Sequence, residues 1–163
     1  MAKRLYIDLV KCRQCKTCEA KCSYFYHPFN DGVCSLREIA EFGATCRQCE
    51  KAPCITSCPT DALEKMDDGV VKRFNMRCVA CRTCAYACPF GTILPEVIPY
   101  AVSRCDYCIG RLNEGELPIC VGGCTEGAIE FGEFEPDVKA QRFLIGEHLV
   151  VHTIPWKKEE FIS

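Results

Sequence analysis

The sequence predicts an α+β fold of short strands and helices in which cysteine, more than apolar bulk, ties the chain together. Three observations carry this. Seventeen of the 163 residues are cysteine, a density found in disulfide scaffolds and metal proteins. All but Cys34 fall into four runs of four thiols. Between the runs, apolar residues come in brief stretches punctuated by Gly, Pro and Asp, which suits short strands and single helical turns.

Taken in order, Leu5, Ile7 and Leu9 alternate with Tyr6, Asp8 and Val10 and predict a strand ending at the first cysteine. The first run is Cys12, Cys15, Cys18 and Cys22, followed by Ser23. Residues 23–34, with Tyr24, Phe25, Tyr26, Phe29 and the turn signal Asn30-Asp31-Gly32, read as an aromatic-packed loop covering a buried centre. Ser35-Leu36-Arg37-Glu38 has the form of a capping box, predicting a helix over 36–42 that Gly43 stops. The second run is Cys46, Cys49, Cys54 and Cys58, then Pro59. Ala62 to Met66 and Val70 to Arg73 flank Asp67-Asp68-Gly69 and predict a hairpin.

The third run, Cys78, Cys81, Cys84 and Cys88 with Pro89 after it, has the spacing C-x2-C-x2-C-x3-C-P. A connector over 92–103 leads to the fourth, Cys105, Cys108, Cys120 and Cys124, which carries an insertion from Ile109 to Ile119. The stretch from Thr125 to Glu130 echoes Thr60 to Glu64, evidence of an internal repeat. A cysteine-free tail begins at Pro136, with apolar runs at Phe143–Ile145 and Leu149–Ile154. It is the best candidate for an arm that wraps a partner.

Charge and targeting signals narrow the setting. A net charge of −2 argues against nucleic acid as a partner. No apolar stretch approaches the roughly 20 residues that span a bilayer, so no direct membrane insertion is expected. The N-terminus has no secretory apolar core, and a cytoplasmic location is expected. In a reducing compartment, dense CxxC pairs favour metal over disulfides.

The four runs offer a choice of metal. Sixteen thiols fill four zinc sites or four iron–sulfur cubes equally well. Zinc ribbons pair separated CxxC knuckles, whereas two successive x2 gaps curl one peptide around a cube and leave a fourth iron for a distant thiol. This spacing favours iron, with a structural zinc protein as the remote alternative. Arg13, Arg47, Arg77, Arg82 and Arg104 each neighbour a cysteine in sequence and would raise the potential of an anionic cluster.

The Cys78 run is similar to that of bacterial ferredoxins. The order of the four runs, with its late insertion, resembles the four-cluster ferredoxin-like electron-transfer subunits over residues 1 to about 135. That family includes iron–sulfur subunits of dimethyl-sulfoxide reductase-type, formate hydrogenlyase, carbon-monoxide dehydrogenase-linked and tungsten aldehyde oxidoreductase-type complexes. The resemblance implies two nested dicluster modules: an outer one over 1–44 and 104–135, an inner one over 45–103, and a C-terminal extension over 136–163. It implies four [4Fe–4S] clusters as cofactors. Cys12, Cys15 and Cys18 would hold one with Cys124; Cys105, Cys108 and Cys120 a second with Cys22. Cys46, Cys49 and Cys54 would hold a third with Cys88; Cys78, Cys81 and Cys84 a fourth with Cys58. It implies a non-catalytic chain docked on a catalytic oxidoreductase subunit, a tungsten or molybdenum pterin enzyme, with a second redox partner at the other end of the relay. A free-standing diffusible polyferredoxin is the alternative.

Nothing in the sequence offers substrate chemistry. There is no nucleotide-binding glycine motif and no nucleophile motif. His148 and His152 read as strand residues, and Cys34 as a small buried hydrophobe. Because ligation supplies folding energy where cores are small, the chain stripped of metal is expected to be largely unfolded; circular dichroism of the chelated protein checks this, and a cooperative native-like transition would contradict it.

Overall fold

The alternation at the N-terminus forms strand β1, Arg4–Asp8. The structure is a computed structural model that describes residues 2–22, 32–98 and 104–154. The expected aromatic loop, His27 included, lies outside these residues, as do Pro99 and the end of the tail from residue 155. Asp8 ends the strand and caps helix α1, Leu9–Gln14, its Oδ1 accepting the Lys11 N–H at 3.0 Å. Helix α2, Gly32–Ala40, runs into a π-helical segment, Glu41–Thr45. Further on come α3, Pro53–Thr56; a hairpin of β2, Leu63–Lys65, and β3, Val71–Arg73; and α4, Thr83–Ala87. After a short 3-10 turn at Pro95–Val97 come α5, Ile119–Gly123, and three strands: β4, Ile129–Gly132; β5, Arg142–Ile145; and β6, Leu149–His152.

Four of the strands make one sheet in the order β4-β1-β6-β5. β1 runs antiparallel to β4, with Ile7 opposite Ile129, and parallel to β6, with Ile7 opposite Val151. The two central strands are buried along most of their length. Leu5, Ile7, Leu149, Val150 and Val151 are all at most 1% exposed, the near-continuous apolar reading of strands covered on both faces. The tail is therefore corrected: residues 142–152 do not form an extension hung on a finished module but supply two strands of its sheet. Leu149-Val150-Val151 is apolar because β6 lies at the centre.

Helix α2 covers this sheet. Val33, Leu36, Ile39 and Ala40 pack with Leu5, Ile7, Leu9, Ile129, Leu149 and Val151 in one core. The helix starts earlier than the capping box implied, and both box residues serve tertiary contacts instead. The Ser35 hydroxyl accepts the Cys105 N–H at 2.9 Å, and Glu38 pairs with Arg73. Gly43 does not stop the helix. A Cβ there would meet Ile145 Cγ2 at 2.6 Å, so glycine lets β5 approach the π segment.

A second core gathers Phe42, Ala52, Cys54, Leu63, Val71, Cys84, Ala85, Ile93 and Ile98. Its hairpin forms as expected, Leu63 opposite Arg73 and Lys65 opposite Val71, around a turn with Gly69 at φ 83°. Phe42 belongs to this core while Ala40 belongs to the first, so the π segment is the seam between them.

Glu41 sits in that seam, and burial pushes its carboxyl up to about 7 despite Arg13 and Arg37 nearby. A folded-state value above the unfolded one means that the native protein binds the proton more tightly; the associated stability is present at low pH and is lost as pH rises through about 7. Glu41→Gln is expected to stabilise the protein at pH 8 by at most roughly 3 kcal/mol, with the gain shrinking below pH 7. Thermal unfolding of parent and variant at two pH values measures it.

Candidate metal centres

Three of the four thiol runs fold into loops whose backbone is turned toward sulfur. In three runs the second residue between the first two thiols is left-handed: Gln48 at φ 51°, Ala80 at φ 56° and Tyr107 at φ 57°. This brings amides inward, and the N–H groups of Gln48 and Ala80 donate to Cys46 and Cys78 Sγ, both at 3.4 Å. The fourth thiols share another device. Three residues after each of Cys58, Cys88 and Cys124 stands a left-handed residue, Asp61 at φ 49°, Gly91 at φ 60° and Gly127 at φ 60°. The next amide turns back on the sulfur, Ala62 N–H to Cys58 and Ala128 N–H to Cys124, both at 3.3 Å. The residue after that enters β2 at Leu63 or β4 at Ile129. The sequence echo between residues 60–64 and 125–130 is this recurring turn.

The turns bring the thiols together in fours. Cys46, Cys49, Cys54 and Cys88 line one cavity. Cys22, Cys105, Cys108 and Cys120 line a second, although the last of these runs carries the insertion. Cys12, Cys15, Cys18 and Cys124 share a wider cleft with Arg13, Lys16, Arg37 and Cys34. Cys84 lies within electrostatic reach of Cys78 and Cys58, and Cys58 of Cys81. In each set, three sulfurs come from one run and one from another. Among the described residues, no three His, Cys, Asp or Glu side chains form a group that could hold a single metal ion.

Electrostatics separates the sulfurs. Burial pushes Cys105 and Cys120 up to about 12, and Cys54 and Cys84 up to about 11. Thiols raised this far lose their protons at neutral pH only to a cationic centre. Others are lowered. Burial is outweighed at Cys58 by the Ala62 and Thr60 amides, and at Cys88 by the Thr92 hydroxyl and amide. At exposed Cys81 the Thr83 hydroxyl, 3.3 Å away, lowers it. Sulfurs that accept hydrogen bonds, grouped in fours around cavities, fit thiolate ligation of a polynuclear cluster.

The arginines expected to flank the sulfurs engage other groups, although Arg13 and Arg47 also line the thiol cavities. Arg13 lies 3.8 Å from Glu41, Arg47 stacks on Phe90 at 4.4 Å, and Arg104 donates to the Arg73 carbonyl at 3.5 Å. Arg77 donates to the Asp61 carbonyl and Glu64 and covers Phe74. For Arg82 the clear feature is backbone, a left-handed residue at φ 62° opening α4. Two arginines that adjacency in sequence does not mark do reach sulfur. Arg73 Nη1 donates to Cys78 at 3.2 Å, and Arg111 Nη2 to Cys108 at 3.5 Å. Of the described histidines, His152 Nδ1 lies 3.1 Å from Asp8 and His148 leans on the Tyr107 ring.

Residues 37–134 match the family described as the 4Fe-4S dicluster domain. The sequence is 32% identical over 151 residues to one of the chains of the anaerobic dimethyl sulfoxide reductase of Escherichia coli, covering 80% of this protein and 73% of that one. It has the same identity and coverage with YnfG of that organism, named as a probable anaerobic dimethyl sulfoxide reductase chain. It is 28% identical to one of the subunits of the tetrathionate reductase of Salmonella typhimurium over 145 residues, 80% of this protein and 58% of that one. With a family match over more than half its length, and a relative 32% identical over 80% of it, the protein belongs to the 4Fe-4S dicluster family of ferredoxin-like iron–sulfur proteins.

Proposed function

We propose that this chain is an electron-transfer subunit carrying four [4Fe–4S] clusters that relays electrons to or from the catalytic subunit of an oxidoreductase complex. The observation that carries this is the grouping of sixteen thiols into four sets, each fed by two runs. The ligand sets are Cys12, Cys15, Cys18 and Cys124; Cys22, Cys105, Cys108 and Cys120; Cys46, Cys49, Cys54 and Cys88; and Cys58, Cys78, Cys81 and Cys84. Bound there, a cluster takes up and passes on one electron without bond making or breaking. The chain's part is to hold the thiolates, aim amides at them and exclude water.

The two sets that contain Cys54 and Cys84 adjoin each other, as an electron relay requires. Cys54 and Cys84, from different sets, sit in one core and interact electrostatically. Exposed Cys18 and Cys81 supply the points of entry and exit at the surface. Around Cys81 the exposed apolar residues Val79 and Tyr86 favour a protein partner over water alone.

Relatives named as parts of dimethyl sulfoxide and tetrathionate reductases favour a fixed subunit over a diffusible polyferredoxin. They also favour a reductase as the complex, its catalytic subunit a molybdenum or tungsten pterin enzyme, over the narrower tungsten aldehyde oxidoreductase-type partner. No helix among the described residues is long and apolar enough to cross a membrane.

Two measurements test this reading. Protein purified without oxygen together with its partners should be brown, contain about sixteen irons per molecule, and bring a larger catalytic subunit with it; a colourless zinc protein would overturn the proposal. The second concerns the clasp between the first and last runs. A Cβ at Gly123 in α5 would stand a tight 3.3 Å from the Ala20 Cα and in contact with the Lys21 N at 3.5 Å, so the larger side chain of valine must push on that backbone. Gly123→Val should pry Cys22 from Cys120 and lose about half the iron, whereas Cys34→Ser should keep it all.

A further inference from the structure

Among the residues around the four sets, one buried charge stands apart. Arg73, the last residue of β3, has a side chain only 1% exposed. Its Nε and Nη2 donate to the two carboxylate oxygens of Glu38 on α2, at 2.7 and 2.6 Å, a bidentate pair. That pairing fixes the plane of the guanidinium and aims Nη1 at Cys78 Sγ, 3.2 Å away. The Glu38 carboxylate outweighs the effect of burial and keeps the guanidinium firmly charged. Arg111, the other arginine on a sulfur, is about a third exposed and tied to Asp106, so water screens it.

We propose that Arg73, oriented by Glu38, raises the reduction potential of the cluster held by Cys58, Cys78, Cys81 and Cys84, and so makes that cluster a preferred resting place for the electron in the relay. This rests on the reading of the four thiol sets as cluster sites. Reduction adds one electron, and one unit of negative charge, to a centre whose ligand sulfur faces a cation in a water-poor site. A charged hydrogen bond there favours the reduced form over the oxidised one. No proton accompanies the electron through this contact, because arginine does not release one. Glu38 acts as a positioning residue with an opposing charge: it aims the donor and also dulls its field.

The two partners therefore have opposite signatures. Removing the cation with Arg73→Met should lower the midpoint potential of one cluster. Removing the counter-charge with Glu38→Gln, which keeps an acceptor for the guanidinium, should raise it. The other three potentials should stay where they are, and the Arg73→Met shift should be the same at pH 6.5 and pH 8.5. The experiment is a redox titration of the oxygen-free complex followed by electron paramagnetic resonance, with the affected signal identified as the one altered by Cys81→Ser. Unchanged potentials in an iron-replete Arg73→Met protein, a shift shared by all clusters, or a lowering by both variants would overturn the proposal. Should Arg73→Met fail to hold iron, Glu38→Gln and the double variant Arg73→Met/Glu38→Met, which replaces the pair by apolar side chains, decide by the same criterion. A parent protein without iron would bring down the cluster reading itself, a different outcome from iron-loaded variants that do not shift.

Discussion

Every described fourth thiol points away from the three that precede it in its run. Cys58, Cys88 and Cys124 each end a short stretch of chain and begin a left-handed turn, and that turn carries the sulfur to a set begun by another run. No set can form from contiguous sequence, so segments far apart must meet. The rest of the architecture meets that demand. β1 leads into the first run and pairs with β4, which leaves the last. β6 then pairs with β1 on its other edge and closes the sheet from the far end of the sequence. Gly123, without a side chain, lets α5 lie against Ala20 and Lys21 and draws Cys120 and Cys124 onto the first run.

Two apolar cores support this arrangement, and they differ in how they use cysteine. In the sheet core the thiols are peripheral: Cys12, Cys105, Cys120 and Cys124 pack against it without being fully buried. In the second core Cys54 and Cys84 are themselves core residues, on α3 and α4. The sheet core is therefore built from apolar side chains alone, whereas the hairpin core includes two of the thiols proposed as cluster ligands. At roughly 1.5–3 kcal/mol for each large apolar side chain buried, the sheet has cohesion of its own, to which ligation in the hairpin core would add.

The thiol runs were legible because their chemistry imposes spacing, and spacing survives in a linear string. Cys46 lines one cavity with Cys88, and Cys22 another with Cys120; that each pair serves one cluster is part of the proposal. β1 and the β2–β3 hairpin were legible from alternation and from Asp67-Asp68-Gly69. What escaped was whatever depends on a distant neighbour. Ser35 and Glu38 look like a cap because their spacing suits one, yet Cys105 and Arg73 claim them across the fold. The apolar run at Leu149–Val151 resembled a detachable arm only because its partner strand lies at the opposite end of the sequence. Adjacency also said little about charge contacts: side chains next to cysteine in sequence are engaged by Glu41, Phe90 or Glu64, while the hydrogen bonds from arginine to sulfur come from Arg73 and Arg111.

The Arg73–Glu38 pair shows why a buried charge need not be read as a stability device. Taking both ions out of water costs several kcal/mol each, and apolar replacements of the same volume often do as well or better. What an apolar pair cannot do is fix direction. Glu38 belongs to the helix that covers the sheet, Arg73 to the hairpin of the other core, and their two parallel hydrogen bonds set how the two lie against each other. The remaining donor then falls on Cys78. The geometry of the seam between the cores is in this way tied to the electrostatics of one thiol set, and a shift of α2 against the hairpin would be felt at that sulfur first.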